Sequence, residues 1–150
     1  MARNLSEAVV RAWTRLMRAQ STALLGVETD LKAAGFPPLA WYDVLLELSR
    51  HDGLRPFEIE TRVLLAQYNL SRLLDRLAAA GYVERRPCPD DKRGQIIVIT
   101  PAGRDLQKRM WPSYRSAIAR HVGARLSEAD AETLGRLLEK LIPARTSAGG

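Results

Sequence analysis

Residues 56–101 read PFEIETRVLLAQYNLSRLLDRLAAAGYVERRPCPDDKRGQIIVITP. Within Gln67 to Ala80, the leucines Leu70, Leu73, Leu74 and Leu77 fall at i, i+3, i+4 and i+7, the spacing of one buried stripe on an amphipathic helix. Gln67, Tyr68, Asn69, Ser71, Arg72 and Arg76 turn away from that stripe. They offer amide, hydroxyl and guanidinium groups, which match base edges and phosphates in a major groove. Just upstream, Glu58 to Arg62 followed by Val63-Leu64-Leu65 supplies a shorter helix and a turn, the arrangement a helix-turn-helix needs. Pro56 suits that helix's first turn, where its missing N–H would be unpaired anyway. The glycine often found in such a turn is absent.

Downstream, Gly81 stands where a left-handed residue would close the longer helix. Tyr82 to Arg86 and Gln95 to Ile99 contain β-branched residues, and Pro87 to Gly94 between them is full of turn formers. The pattern predicts a two-stranded hairpin with a long tip. Arg85, Arg86, Lys92 and Arg93 concentrate positive charge on it, suited to a minor groove or to phosphate. Asp90 and Asp91 would repel phosphate. Asp91 is therefore assigned to holding Arg93 across the tip, with partnerless turn formation as the other reading. The fold class that follows is mainly α: a winged helix-turn-helix with a two-stranded β wing, directed at double-stranded DNA.

The flanks are helical. From Leu5 to about Ala34 the residues Leu5, Val9, Ala12, Leu16, Ala19, Ala23, Val27 and Leu31 recur at three and four. Asn4 or Ser6 is the candidate cap, and Gly35 with Pro37-Pro38 ends the run. A helix of roughly 30 residues spans about 45 Å, too long to pack wholly against so small a domain. Trp13, Met17 and Leu24 broaden its apolar surface, and a second copy of the chain is the expected cover. A helix from Leu39 to Arg50 carries Trp41, Val44, Leu45 and Leu48 as core. Thr100 and Pro101 cap and open a helix towards His121, and Pro112 inside it predicts a kink or break near Trp111. Gly123 is expected to close it. Ser127-Glu128-Ala129-Asp130 resembles a capping box before Leu134, Leu137, Leu138 and Leu141. One domain over 1–150 is expected, with a DNA-binding lobe at 39–100, dimerisation helices at 5–34 and 101–142, and a disordered tail at 143–150.

Composition agrees. A formal charge of +6 and a pI near 10.0 favour a polyanionic partner. The single cysteine excludes an internal disulfide, and no Cys/His spacing suggests a metal. No apolar run approaches the ~18 residues of a membrane span, and no signal-peptide core is evident, so a cytoplasmic protein is expected. His51 and His121 lie far apart, without any H-E-x-x-H, G-x-S-x-G or glycine-rich phosphate loop. No catalytic role or cofactor is expected.

Three motifs carry a family resemblance: Leu73, Arg76, Leu77, Gly81, Tyr82, Val83 and Arg85 in an L-x-x-R-L-x-x-x-G-Y-V-x-R pattern; Asp91-Lys92-Arg93 at the wing tip; and Thr100-Pro101-Ala102-Gly103 after it. The chain resembles the MarR family of bacterial transcriptional regulators. That resemblance implies a homodimer with intertwined terminal helices on a pseudo-palindromic site, most often as a repressor. It also implies release by a small phenolic or other aromatic ligand, bound in a crevice for which Trp13, Arg15, Trp41, Tyr42, His51 and Trp111 are candidate lining residues. Where relatives often begin the recognition helix with Ser-Arg-Ser, this chain has Ala66-Gln67-Tyr68, which leaves base preference open. Peroxide-sensing relatives carry their reactive cysteine in the N-terminal helix, so Cys88, beside Arg85 and Arg86, reads as a turn cysteine. The competing class is a winged-helix module whose basic wing binds an acidic protein.

Overall fold

The computed structural model describes residues 4–65 and 68–144, with all their side chains except those of Lys92 and Arg93. The described elements run in the order α1 (Glu7–Ala33), α2 (Leu39–Ser49), α3 (Pro56–Arg62), α4 (Leu70–Ala79), β1 (Val83–Cys88), β2 (Asp91–Ile99), α5 (Pro101–His121), a 3-10 turn (Gly123–Arg125) and α6 (Glu128–Glu139).

Local signals set the ends of α1 and α4. The Ser6 hydroxyl accepts the Val9 N–H and caps α1. Gly35 and Gly81, both at φ 82°, close the two helices alike. Behind α1 the Gly35 and Phe36 N–H groups donate to Lys32 and Leu31, and behind α4 those of Gly81 and Tyr82 donate to Ala78 and Leu77. This paired capping satisfies carbonyls the helix would otherwise leave open, and glycine adopts the required φ without a Cβ penalty.

Val44, Leu45 and Leu48 of α2 form the centre of the core, against Ile59 of α3, Leu74 and Leu77 of α4, and Ile97 of β2. Each such side chain contributes about 1.5–3 kcal/mol on burial. Val27 and Leu31 of α1 and Leu106 and Met110 of α5 extend the core to the long helices, which pack against each other while α5 also meets α2.

The wing is tighter than the sequence suggests. The strands pair antiparallel from Val83↔Ile99 to Pro87↔Gln95, then slip to Cys88↔Asp91. Asp91 to Gly94, read as part of the tip, thus belong to β2 and leave Pro89-Asp90 as the turn. The irregularity falls at Pro87, which has no N–H for the ladder. Leu54, between α2 and α3, forms a bridge to Ile97, each donating its N–H to the other's carbonyl at 3.0 and 2.8 Å. A Cβ on Gly53 would strike the Ile96 side chain, so glycine permits that approach.

The Thr-Pro-x-Gly motif is explained by close packing at the start of α5. Thr100 Oγ1 donates to the Gly81 carbonyl and accepts the Gly103 N–H; a Cβ on Gly103 would collide with the Tyr82 carbonyl. Of the kink or break expected near Trp111, the break does not occur: α5 runs through Pro112. Pro112 and Lys108 are exposed, so water can reach the carbonyl four residues back that proline leaves unpaired. Gly123 opens the 3-10 turn instead of closing the helix with a left-handed residue. Ser127 and Asp130 form the reciprocal capping box that starts α6.

Candidate nucleic-acid interface

Helix α4 is the element whose polar face the sequence offers to DNA. It starts at Leu70, later than the sequence spacing suggests, because Asn69 takes the cap position and its Oδ1 accepts the Arg72 N–H at 3.1 Å. Leu73, Leu74 and Leu77 are buried, while Asn69, Ser71, Arg72 and Arg76 are exposed as their pattern implies. Gln67 lies outside the described residues.

Tyr68 is a correction. Its ring packs against the core, not outward, and its buried hydroxyl has no partner among the described residues. Burial, with the nearby Asp43 charge, pushes that hydroxyl's pKa up. The 3.6-residue period used to place it outward does not apply, because Tyr68 precedes the helix.

The lead-in to α4 is held from below. Asp43 of α2 accepts the Leu64 N–H on Oδ1 at 2.8 Å and the Leu65 N–H on Oδ2 at 2.7 Å. Burial raises the carboxyl's pKa and outweighs the lowering by these two donors, with Glu47 adding to the rise. Nothing in the sequence sets Asp43 apart from Glu47, the other acid on a largely apolar helix.

On the wing, Arg85 reaches back to α4 and donates to Asp75 Oδ1 at 2.5 Å. Arg86 pairs with Glu84 at 2.9 Å. Neither is the neighbour of Cys88 that the sequence suggests: Arg55 Nη2 donates to Cys88 Sγ at 3.1 Å. The buried Cys88 thiol is held below its ordinary range, first by the Asp90 backbone and then by Arg55 and the Asp91 backbone, against the opposing effect of burial. Asp91 lies close enough to add favourable charge around Arg55. The expected Asp91–Arg93 contact involves a side chain outside those described, as does any contact of Lys92.

Of the six candidate ligand residues, Tyr42 and Trp111 come together, their rings stacked at 6.3 Å, with Tyr114 tilted against Tyr42 at 5.0 Å. Trp41 instead meets Tyr82 edge-on at 6.0 Å. Trp13 and Arg15 stand exposed on α1, and His51 sits in the loop after α2. A cavity of about 300 Å³ lies between α2, the α3–α4 turn and α5, lined by Tyr42, Asp43, Glu47, Arg62 and Tyr114 among others. Sequence reasoning missed Tyr114, Asp43 and Arg62, which converge from three separate elements. No helix among the described residues is long and apolar enough to cross a membrane.

A short helix, a turn, a helix with one sealed and one polar face, and a two-stranded wing define a winged helix-turn-helix regulator. A sequence profile of the MarR family matches residues 34–94. The chain is 29% identical over 104 residues to the multiple antibiotic resistance protein MarR of Escherichia coli K12, covering 69% of this chain and 72% of that one. It is 25% identical over 131 residues to the transcriptional repressor MprA of the same organism, covering 86% and 74%. The crystal structure of Sco3205, a MarR family regulator from Streptomyces coelicolor in complex with DNA, superposes with a TM-score of 0.79 at 26% identity, covering 94% of this chain and 89% of that one. Over residues 34–94 and in its overall fold, the chain is thus similar to MarR family transcriptional regulators.

Proposed function

We propose that the chain is a homodimeric repressor that binds a pseudo-palindromic site in double-stranded DNA and is released by a small aromatic ligand. The observation that carries this reading is α4, with Leu73, Leu74 and Leu77 buried and Ser71, Arg72 and Arg76 exposed beside a basic wing. The DNA complex of Sco3205 supports the same use here. Arg72, Ser71 and Asn69 would contact bases or nearby phosphates, as would Gln67 on the sequence reading. Lys92 and Arg93 would take the flanking minor groove or its backbone. Two copies would set recognition helices about 34 Å apart, one turn of duplex. The exposed Leu5, Val9 and Trp13 of the N-terminal region and Leu134, Leu137 and Leu141 near the C-terminus supply apolar surface for that pairing. The Tyr42–Trp111–Tyr114 group and the adjoining cavity have the aromatic walls and few polar groups an effector needs. A ligand favouring the wrongly spaced dimer weakens DNA binding by linkage.

The test is selection of genomic fragments followed by fluorescence anisotropy at about 150 mM salt. A selected duplex should bind at least ~1000-fold tighter than a scrambled one, and aromatic acids titrated into that complex should release it. Arg93→Ala should weaken all sequences and flatten the salt slope by about one unit. Arg72→Ala should instead erode preference for the selected site. Equal, weak binding to every fragment would point to a protein partner for the wing.

A further inference from the structure

The segment joining α3 to α4 contains no glycine, and its first residues lead towards the proposed recognition helix. Its first residue, Val63, caps α3 in an extended conformation. Beyond that, consecutive N–H groups of Leu64 and Leu65 grip separate oxygens of the Asp43 carboxylate. Such charge-assisted bonds are shorter and stronger than bonds between neutral groups. Gripping both oxygens fixes the segment's rotation as well as its distance. Asp43 is 6% exposed and sits on α2, beside Val44 and Leu45 at the centre of the core, so the anchor is rigid. Arg62 lines the same cavity, but its buried Nε has no partner among the described residues, whereas Asp43 accepts two backbone N–H groups of this turn.

We propose that Asp43 is a positioning residue for DNA recognition, setting the approach of α4 through the Leu64–Leu65 amides. The proposal rests on the reading of α4 as the DNA-contacting helix. Asp43→Asn keeps the volume but replaces one acceptor oxygen with a donor, and the cavity beside the side chain gives the amide room. The same genomic fragment selection supplies the duplex. With Asp43→Asn, affinity for that duplex should fall by at least about tenfold, the scale of one lost base contact. Affinity for scrambled DNA and its salt slope, which report phosphate contacts, should not change. In the free protein, the Leu64 and Leu65 amides should exchange with solvent markedly faster than in the parent. If Asp43→Asn does not fold, Asp43→Glu, which retains the charge and displaces both oxygens, should show the same selective loss. Unchanged amide exchange, lost protection with unaltered specific affinity, or equal weakening on both duplexes would each overturn the proposal. If the parent itself prefers no sequence, the DNA reading has failed, and amide exchange alone then decides whether Asp43 holds the turn.

Discussion

Helices α4 and α6 share one pattern: Leu70, Leu73, Leu74 and Leu77 in the first, and Leu134, Leu137 and Leu138 in the second with Leu141 just beyond its end, are spaced identically. Their fates differ. Leu77 is 0% exposed and Leu74 2%, whereas Leu137 is 48% exposed and Leu141 67%. Periodicity therefore specifies a helix and its apolar face, but not the molecule that covers the face. Helix α4 finds α2, α3 and the wing within its own chain, while α6 presents leucines to solvent. Exposed apolar stripes of this kind mark interaction surfaces, and the early part of α1, with Trp13 62% exposed, continues the pattern.

The sharpest break is Leu77→Ala. Removing a fully enclosed leucine should cost about 2–5 kcal/mol, including the cavity left behind, read as a shift in chemical denaturation. Leu137→Ala should cost under about 0.5 kcal/mol if α6 faces only water. If a second copy covers it, Leu137→Asp places an unpaired charge in an apolar interface. Sedimentation should then show dimers becoming monomers, with helicity retained. A variant that sediments as the parent does would remove α6 from the interface.

The comparison also shows what a sequence can disclose. Gly35, Gly81, Thr100-Pro101 and Ser127 were legible because each acts on hydrogen bonds within a few residues of itself. The outward placement of Ser71, Arg72 and Arg76 was legible because they lie inside a regular helix. Tyr68 was misplaced because the period was carried beyond the cap at Asn69. Leu54 and the short tip depend on which strand edge is free, and Pro112 on which carbonyl water can reach. Asp43 and Asp75 act through partners 21 and 10 residues away, a distance at which one sequence offers no signal. The effector candidates failed to gather for a related reason: aromatic type marks a residue as fit for a site, whereas only packing brings Tyr42, Trp111 and Tyr114 together.

A finer division lies on α4 itself, between its leucine face and its ion pair with the wing. Asp75 and Arg85 are both substantially exposed, at 62% and 35% of their side chains, so their pairing should be worth only about 0.2–1 kcal/mol. A double-mutant cycle with Asp75→Asn and Arg85→Ala, measured by denaturation, isolates that coupling. Raising salt from about 0.1 to 1 M shortens the Debye length from about 10 to 3 Å. The coupling should then vanish while the Leu77→Ala cost remains, because apolar packing is not screened. In that case Arg85 exchanges Asp75 for a phosphate at little cost, and Arg85→Ala should flatten the salt slope of DNA binding by about one unit. A coupling that survives 1 M salt would mean a wing locked to α4, with Arg85 committed to Asp75 and unable to serve as a phosphate contact.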